Sequence, residues 1–155
     1  MRRLARAASD LRALRRPHRL VRYVLVRRHL GKAIGDQSLR VLPARLDALS
    51  AVSIAHDAAD IADTLPPLER WVSRARVLPD TCLYRAAARF VVLRAAGLAP
   101  RLVVGAARDG TSAGALIGHA WVEVDGAPFL EPEDPRARFR TTWSHPAATP
   151  GVDAP

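Results

Sequence analysis

The stretch VLPDTCLYRAAARFVVLRAAGLAPRLVVGAARDG, residues 77–110, decides the fold. It opens on Pro79-Asp80-Thr81, a helix-start signal in which Asp80 or Thr81 can accept a hydrogen bond from a free first-turn amide. Leu83, Ala86, Ala87, Phe90, Leu93 and Ala96 then recur at helical spacing through the run Cys82 to Ala96. Gly97 stands where a helix C-terminal glycine is expected, and Pro100 prevents continuation. Arg101–Ala106, carrying Leu102, Val103 and Val104, reads as a short buried strand.

Working downstream, Arg108–Gly114 is a glycine-bearing loop and Ile117–Val124 a second strand. Asp125-Gly126 is a hairpin turn leading into a third strand, Ala127–Leu130. Beyond Pro132 the chain is rich in proline, arginine and small residues, and residues 141–155 are expected to be a disordered tail. Upstream, Leu46, Leu49, Val52, Ile54, Ala58 and Ile61 suggest one or two helices, which Pro66-Pro67 is expected to end, with a short helix over Leu68–Val77. Residues 2–30 carry arginines among leucines and valines whose spacing permits an amphipathic helix broken near Pro17. The expected organisation is a basic helical arm over 1–42, one α+β domain over 43–140, and the tail.

Composition narrows the function classes. The 155 residues, 49% hydrophobic and 25% charged, suit one globular domain. The net charge of +9 is concentrated before residue 30, so the arm could meet an acidic partner. Aromatic residues make up 5% of the chain and none interleaves with the arginines as a stacking platform, so no nucleic acid is expected. A single cysteine excludes an intrachain disulfide framework and any multi-cysteine zinc pattern, so neither a metal nor another cofactor is expected. Leu20–Val26 is too short, and too interrupted by Arg22, to span a membrane, so a cytoplasmic location is the default.

That cysteine falls where chemistry is plausible. At a helix start, unpaired amides and the helix dipole favour thiolate over thiol, and the same amides can hold an oxyanion. His119 lies on Gly118-His119-Ala120-Trp121-Val122-Glu123-Val124, where alternation puts His119, Trp121 and Glu123 on one face. Ala120, Val122 and Val124 form the opposite, core-facing side. A third group should orient the imidazole. The chain has no asparagine, which leaves Glu131, Glu133 and Asp134. A two-residue turn at Asp125-Gly126 would pair Ala120 with Glu131, whereas a three-residue turn over Val124–Gly126 would pair His119 with Glu131. The triad Cys82–His119–Glu131 therefore needs the second. Arg85, one turn after Cys82, could support the thiolate or pair with Asp80; Trp121 could line a substrate groove or pack in the core.

The runs CLYRAAARFVVLRAAGLAPRLVVGAARDG and HAWVEVDG, followed by an acid, resemble the transglutaminase-like leader peptidases of lasso-peptide biosynthesis. The likeness covers roughly Leu68 to Asp134. It implies a papain/transglutaminase-like core with a catalytic helix packed on a small antiparallel sheet. It also implies a Cys–His–Asp triad, with Cys82 as nucleophile, His119 as base and Glu131 where the family has aspartate. The implied substrate is a ribosomally made precursor peptide whose leader is removed. The implied partners are a separate leader-recognition protein and a ring-closing cyclase, since this chain resembles the stand-alone peptidase. Two other readings stay open from the residues: acyl transfer to an amine, and a non-catalytic basic binding protein.

Overall fold

The computed structural model describes residues 17–35, 40–51, 58–76, 78–110 and 114–146. Helices α1 (Pro17–Gly35), α2 (Leu42–Ala51), α3 (Ala58–Ala75) and α4 (Cys82–Ala95) precede strands β1 (Arg101–Arg108), β2 (Leu116–Val124), β3 (Ala127–Pro128) and β4 (Arg140–His145). A short 3-10 turn, Pro135–Ala137, lies before β4. The class is α+β, with the helices preceding one antiparallel sheet.

Helix α4 is the hub. It packs against α1, α2, α3 and the sheet, burying Ala86, Ala87, Phe90, Val91 and Leu93. Each large apolar side chain so removed from water contributes about 1.5–3 kcal/mol. The helix ends as the sequence requires. Gly97 takes φ +82, Gly97 N–H donates to Arg94 O at 3.0 Å, and Leu98 N–H donates to Leu93 O at 3.2 Å. These two bonds satisfy carbonyls that the last turn would otherwise leave open.

The helix expected as a basic arm shares this core. Tyr23, Val26 and Leu30 of α1 are buried in one cluster with Phe90, and Arg27 is 1% exposed. Residues 1–16 of the expected arm lie outside the described residues.

Helix α3 corrects a second expectation, because it runs straight through Pro66 and Pro67. Ile61, Leu65, Leu68 and Val72 are all buried, so one apolar stripe keeps its period across both prolines. Each interior proline costs about 3 kcal/mol in lost bonding and crowding. Burial of the stripe on both sides of the break offsets that cost.

The sheet order is β3-β2-β1-β4, antiparallel throughout. Leu102, Ala120 and Val122 join the helical core from one face. Residues 141–145, expected in a tail, instead form most of β4, which pairs with β1 and shifts register between Val104 and Gly105. Contacts distant in sequence hold β4 there. His145 Nε2 lies 3.2 Å from Asp47 Oδ1 of α2, and the His145 ring lies 5.4 Å from that of Phe90. Residues 147–155 of the expected tail lie outside the described residues.

The hairpin uses the two-residue turn. Val124 pairs with Ala127 and Glu123 with Pro128, while Asp125 and Gly126 take φ +50 and +76. Both central residues are thus left-handed, the backbone that matches strand twist in such hairpins. Strand β3 stops at Pro128 rather than Leu130. Phe129 N–H still reaches Val122 O at 2.8 Å, but Leu130 at φ +56 swings the chain out of the ladder.

Candidate active site

Cys82 is the first residue of α4 and is half-buried. Thr81 before it has the extended backbone of an N-cap, yet no side chain caps the helix. The expected cap from Asp80 or Thr81 is therefore absent, and the first-turn amides remain available to a ligand. Asp80 turns elsewhere: Arg27 Nη2 lies 3.2 Å from its Oδ1, and the Ser73 hydroxyl donates to its Oδ2. Arg27 also donates to the carbonyl of Pro79. The guanidinium is buried between the rings of Tyr23 and Tyr84, each 6.0 Å away. Partial burial pushes the Asp80 carboxyl up, but the Ser73 and Arg27 hydrogen bonds and the nearby charge of Arg85 outweigh it. The carboxyl ends below its ordinary value. In Tyr23, burial is the main cause that pushes the phenol well up.

His119 and Glu131 meet. His119 Nε2 lies 3.1 Å from Glu131 Oε2, although the turn is not the one thought necessary for this contact. The route is the left-handed Leu130, which takes Glu131 off the ladder before its face is fixed by pleat. Nδ1 of His119 makes no hydrogen bond among the described residues. Glu133 and Asp134, the other candidate acids, do not reach the imidazole; Asp134 instead caps the 3-10 turn and pairs with Arg136. Arg136 dominates the lowering of the Asp134 carboxyl.

Glu131 is itself gripped by Arg89. Arg89 Nη1 lies 2.8 Å from Glu131 Oε1 and 3.2 Å from Phe129 O, while its Nε and Nη2 bond both oxygens of Glu69 at 2.7 and 2.8 Å. Burial pushes the Arg89 pKa down, but the two glutamates outweigh it and hold the charge firmly. The chain Glu69–Arg89–Glu131–His119 thus ties α3 and α4 to the strand that carries the imidazole. Arg89 lies seven residues after Cys82, about 10 Å along the helix axis. No hydrogen bond joins Cys82 to His119 among the described residues.

The expected face of β2 is confirmed. His119, Trp121 and Glu123 lie together, with the Trp121 and His119 rings stacked at 6.0 Å. Trp121 is fully buried, which makes it a packing residue beneath the imidazole. Its Nε1 donates to Glu123 Oε1 at 3.0 Å, and Arg101 Nη2 lies 2.6 Å from the other oxygen. Phe139 packs on the imidazole from a further side, with centroids 5.2 Å apart. Gly105 makes the fit possible, because a Cβ there would meet Trp121 and Phe139 at 3.0 Å. The Arg85 side chain makes no hydrogen bond or ion pair among the described residues and lines a groove beside α4.

Three supporting residues, Arg89, Glu69 and Phe139, were not singled out from sequence. Arg89 did leave a signal: it occupies the stripe Ala86–Arg89–Leu93, which is buried, and a cation at such a position must have acidic partners. Among the described residues no group of histidine, cysteine and acids is arranged to hold a metal ion. Likewise, none of the described helices is long and apolar enough to cross a membrane.

Chemically, the arrangement offers a thiol at an uncapped helix start and an imidazole fixed at Nε2 by a carboxylate. The family model of the transglutaminase-like superfamily matches residues 18–144, beginning in α1 and ending in β4. Comparison with curated proteins and with solved structures returned no match.

Proposed function

The chain belongs to the transglutaminase-like superfamily, and from that premise we propose that it is a cysteine peptidase that removes the leader of a ribosomally made lasso-peptide precursor. The superfamily includes cysteine peptidases and acyl transferases. The observation that carries the proposal is the bond between Glu131 and His119 Nε2, which leaves Nδ1 as the nitrogen for the thiol. The lasso-peptide substrate rests on the resemblance of the Cys82 and His119 segments to the leader peptidases.

In this reading His119 Nδ1 takes the Cys82 proton, and the thiolate attacks the carbonyl at the leader–core junction. The uncapped amides of α4 hold the oxyanion. The imidazolium returns its proton to the leaving amine, and water then hydrolyses the thioester. Glu131 fixes the ring tautomer and stabilises its cationic form, and Arg89 acts on the ring only through Glu131.

Delivery of the precursor by a separate leader-recognition protein, upstream of a ring-closing cyclase, belongs to the same proposal. Val21 and Leu25, exposed one turn apart on α1, are the surface offered for that docking. Deleting residues 1–30 would also remove Tyr23, Val26 and Arg27 from the core, so Val21→Asp and Leu25→Asp are the cleaner test.

The deciding experiment is alkylation of Cys82 by iodoacetamide across pH, with wild type and His119→Ala compared, followed by precursor cleavage read by mass spectrometry. Alkylation of Cys82 that is fast near neutral pH in the wild type and slow in His119→Ala is expected. Cleavage that survives Cys82→Ala refutes the proposal.

A further inference from the structure

Beside α4 lies an open groove of about 690 Å³, lined among others by Glu69, Arg70, Arg74, Arg85, Leu130 and Pro132. Its volume is in the range of binding pockets, roughly 300–1,000 Å³. The groove touches both halves of the proposed catalytic apparatus. Arg85 lies one turn after Cys82, and Leu130 and Pro132 flank Glu131 on either side.

One charge in it, that of Arg85, has no direct partner among the described residues. Glu69 is the one acid among the described lining residues, and both its oxygens are bonded by Arg89, which also lines the groove. Asp80 feels the charge of Arg85, but its two oxygens are already bonded by Arg27 and Ser73. Arg85 is half-buried and lines the groove, and its side chain makes no hydrogen bond or ion pair among the described residues. Arg70 and Arg74 also line the groove and have partners of their own. An arginine fork is suited to a carboxylate, which it can bind through two parallel hydrogen bonds.

We propose that this groove receives an acidic side chain of the substrate peptide and that Arg85 binds its carboxylate a few residues from the bond Cys82 attacks. The choice of a peptide rests on the peptidase reading above. The choice of an acidic one rests on the Arg85 guanidinium. Arg85 is then a specificity residue: it selects what is presented to the thiol and takes no part in proton transfer.

The test uses the full chain with Cys82→Ala, so that nothing is turned over. The probes are a fluorescein-labelled Gly/Ser octapeptide with two glutamates, its twin with two glutamines, and the oligonucleotide dT8. All are read by fluorescence anisotropy at low ionic strength, where charge interactions are least screened. The glutamate peptide is expected to bind about tenfold tighter than its twin, the scale of one charge-assisted hydrogen-bonded contact. Adding Arg85→Gln should bring the two peptides within about twofold of each other, and Arg85→Lys should restore part of the difference. Equal binding of the two peptides overturns the proposal, as does a preference that survives Arg85→Gln. Tighter, Arg85-dependent binding of dT8 also overturns it, because the groove would then serve nucleic acid. Failure here leaves the nucleophile assignment standing, whereas a Cys82 inert to iodoacetamide defeats that assignment and leaves this binding test intact.

Discussion

Arg89 and Glu131 stand 2.8 Å apart with side chains only 9% and 12% exposed, and the oxygen that Glu131 does not give to Arg89 is the one held against His119. One carboxylate therefore serves two cations, or one cation and one imidazole, depending on the protonation of the ring. Removing the guanidinium would leave Glu69 and Glu131 buried without a counter-charge. Arg89→Met is expected to lose about 3–5 kcal/mol of stability. Urea unfolding of the two proteins measures this directly, and a loss below 1 kcal/mol would contradict it.

Glu131→Gln keeps a similar shape but removes the charge and offers an amide to either Arg89 or His119. For the proposed peptidase, kcat should fall on the order of 10²–10⁴-fold, the contribution of a correctly poised acid–base group. KM should change little, because Glu131 is assigned to the ring and not to the substrate. Steady-state cleavage of the precursor gives both numbers, and thermal unfolding shows whether the variant is folded.

Gly105 leaves room for two aromatic rings. Gly105→Ala would bring a methyl group to 3.0 Å from Trp121 and from the Cβ of Phe139. Neither can retreat freely, since Trp121 is fully buried on the sheet and Phe139 packs on the imidazole. Overpacking of this kind costs about 1–3 kcal/mol. A lowered unfolding midpoint with shifted His119 ring resonances is expected, and an unchanged midpoint would show that the pocket has slack.

The Asp80 carboxyl lies below its ordinary value in the folded chain. The unfolded state therefore binds this proton more readily, so Asp80 stabilises the fold above about pH 4 and the benefit is lost as pH falls further. Asp80→Asn should be the less stable protein at pH 7, and its stability should decline less steeply between about pH 4 and pH 2. Parallel acid titrations of unfolding test the sign. A steeper decline in the variant would refute it.

Much of this fold is legible locally. The cysteine-bearing helix, its glycine terminus and the strands β1 and β2 follow from apolar spacing and from Gly97, because neighbours in sequence enforce them. The His119–Glu131 contact was anticipated, but through a turn the chain does not use; a single φ at Leu130 substitutes for it, and a leucine gives no hint of a left-handed backbone. Strand β4 was missed because Arg140–His145 carries no apolar alternation, and its state comes from pairing with β1 across some forty residues. The continuity of α3 through two prolines was missed for a related reason, since only the packed stripe reveals that both halves face one core. Arg89 was legible in principle, whereas Glu69 and Phe139 were not, because nothing nearby in sequence marks them as its partner or as the cover of the imidazole.

The bond from Arg27 to the Pro79–Asp80 segment runs backward along the chain, from the lead-in to the Cys82 helix to an earlier helix, while His119, Glu131 and Phe139 all come later. During synthesis the parts therefore leave the ribosome in a fixed order. The seat of Cys82 can be complete before His119 has been translated, and the aromatic cover of that imidazole comes out after both. For the proposed peptidase, a nascent chain shorter than about 140 residues would carry a docked thiol and no finished proton relay. Cutting power would then arrive with the closing strand, after the thiol and the imidazole are both out, which spares the emerging polypeptide from its own half-made enzyme.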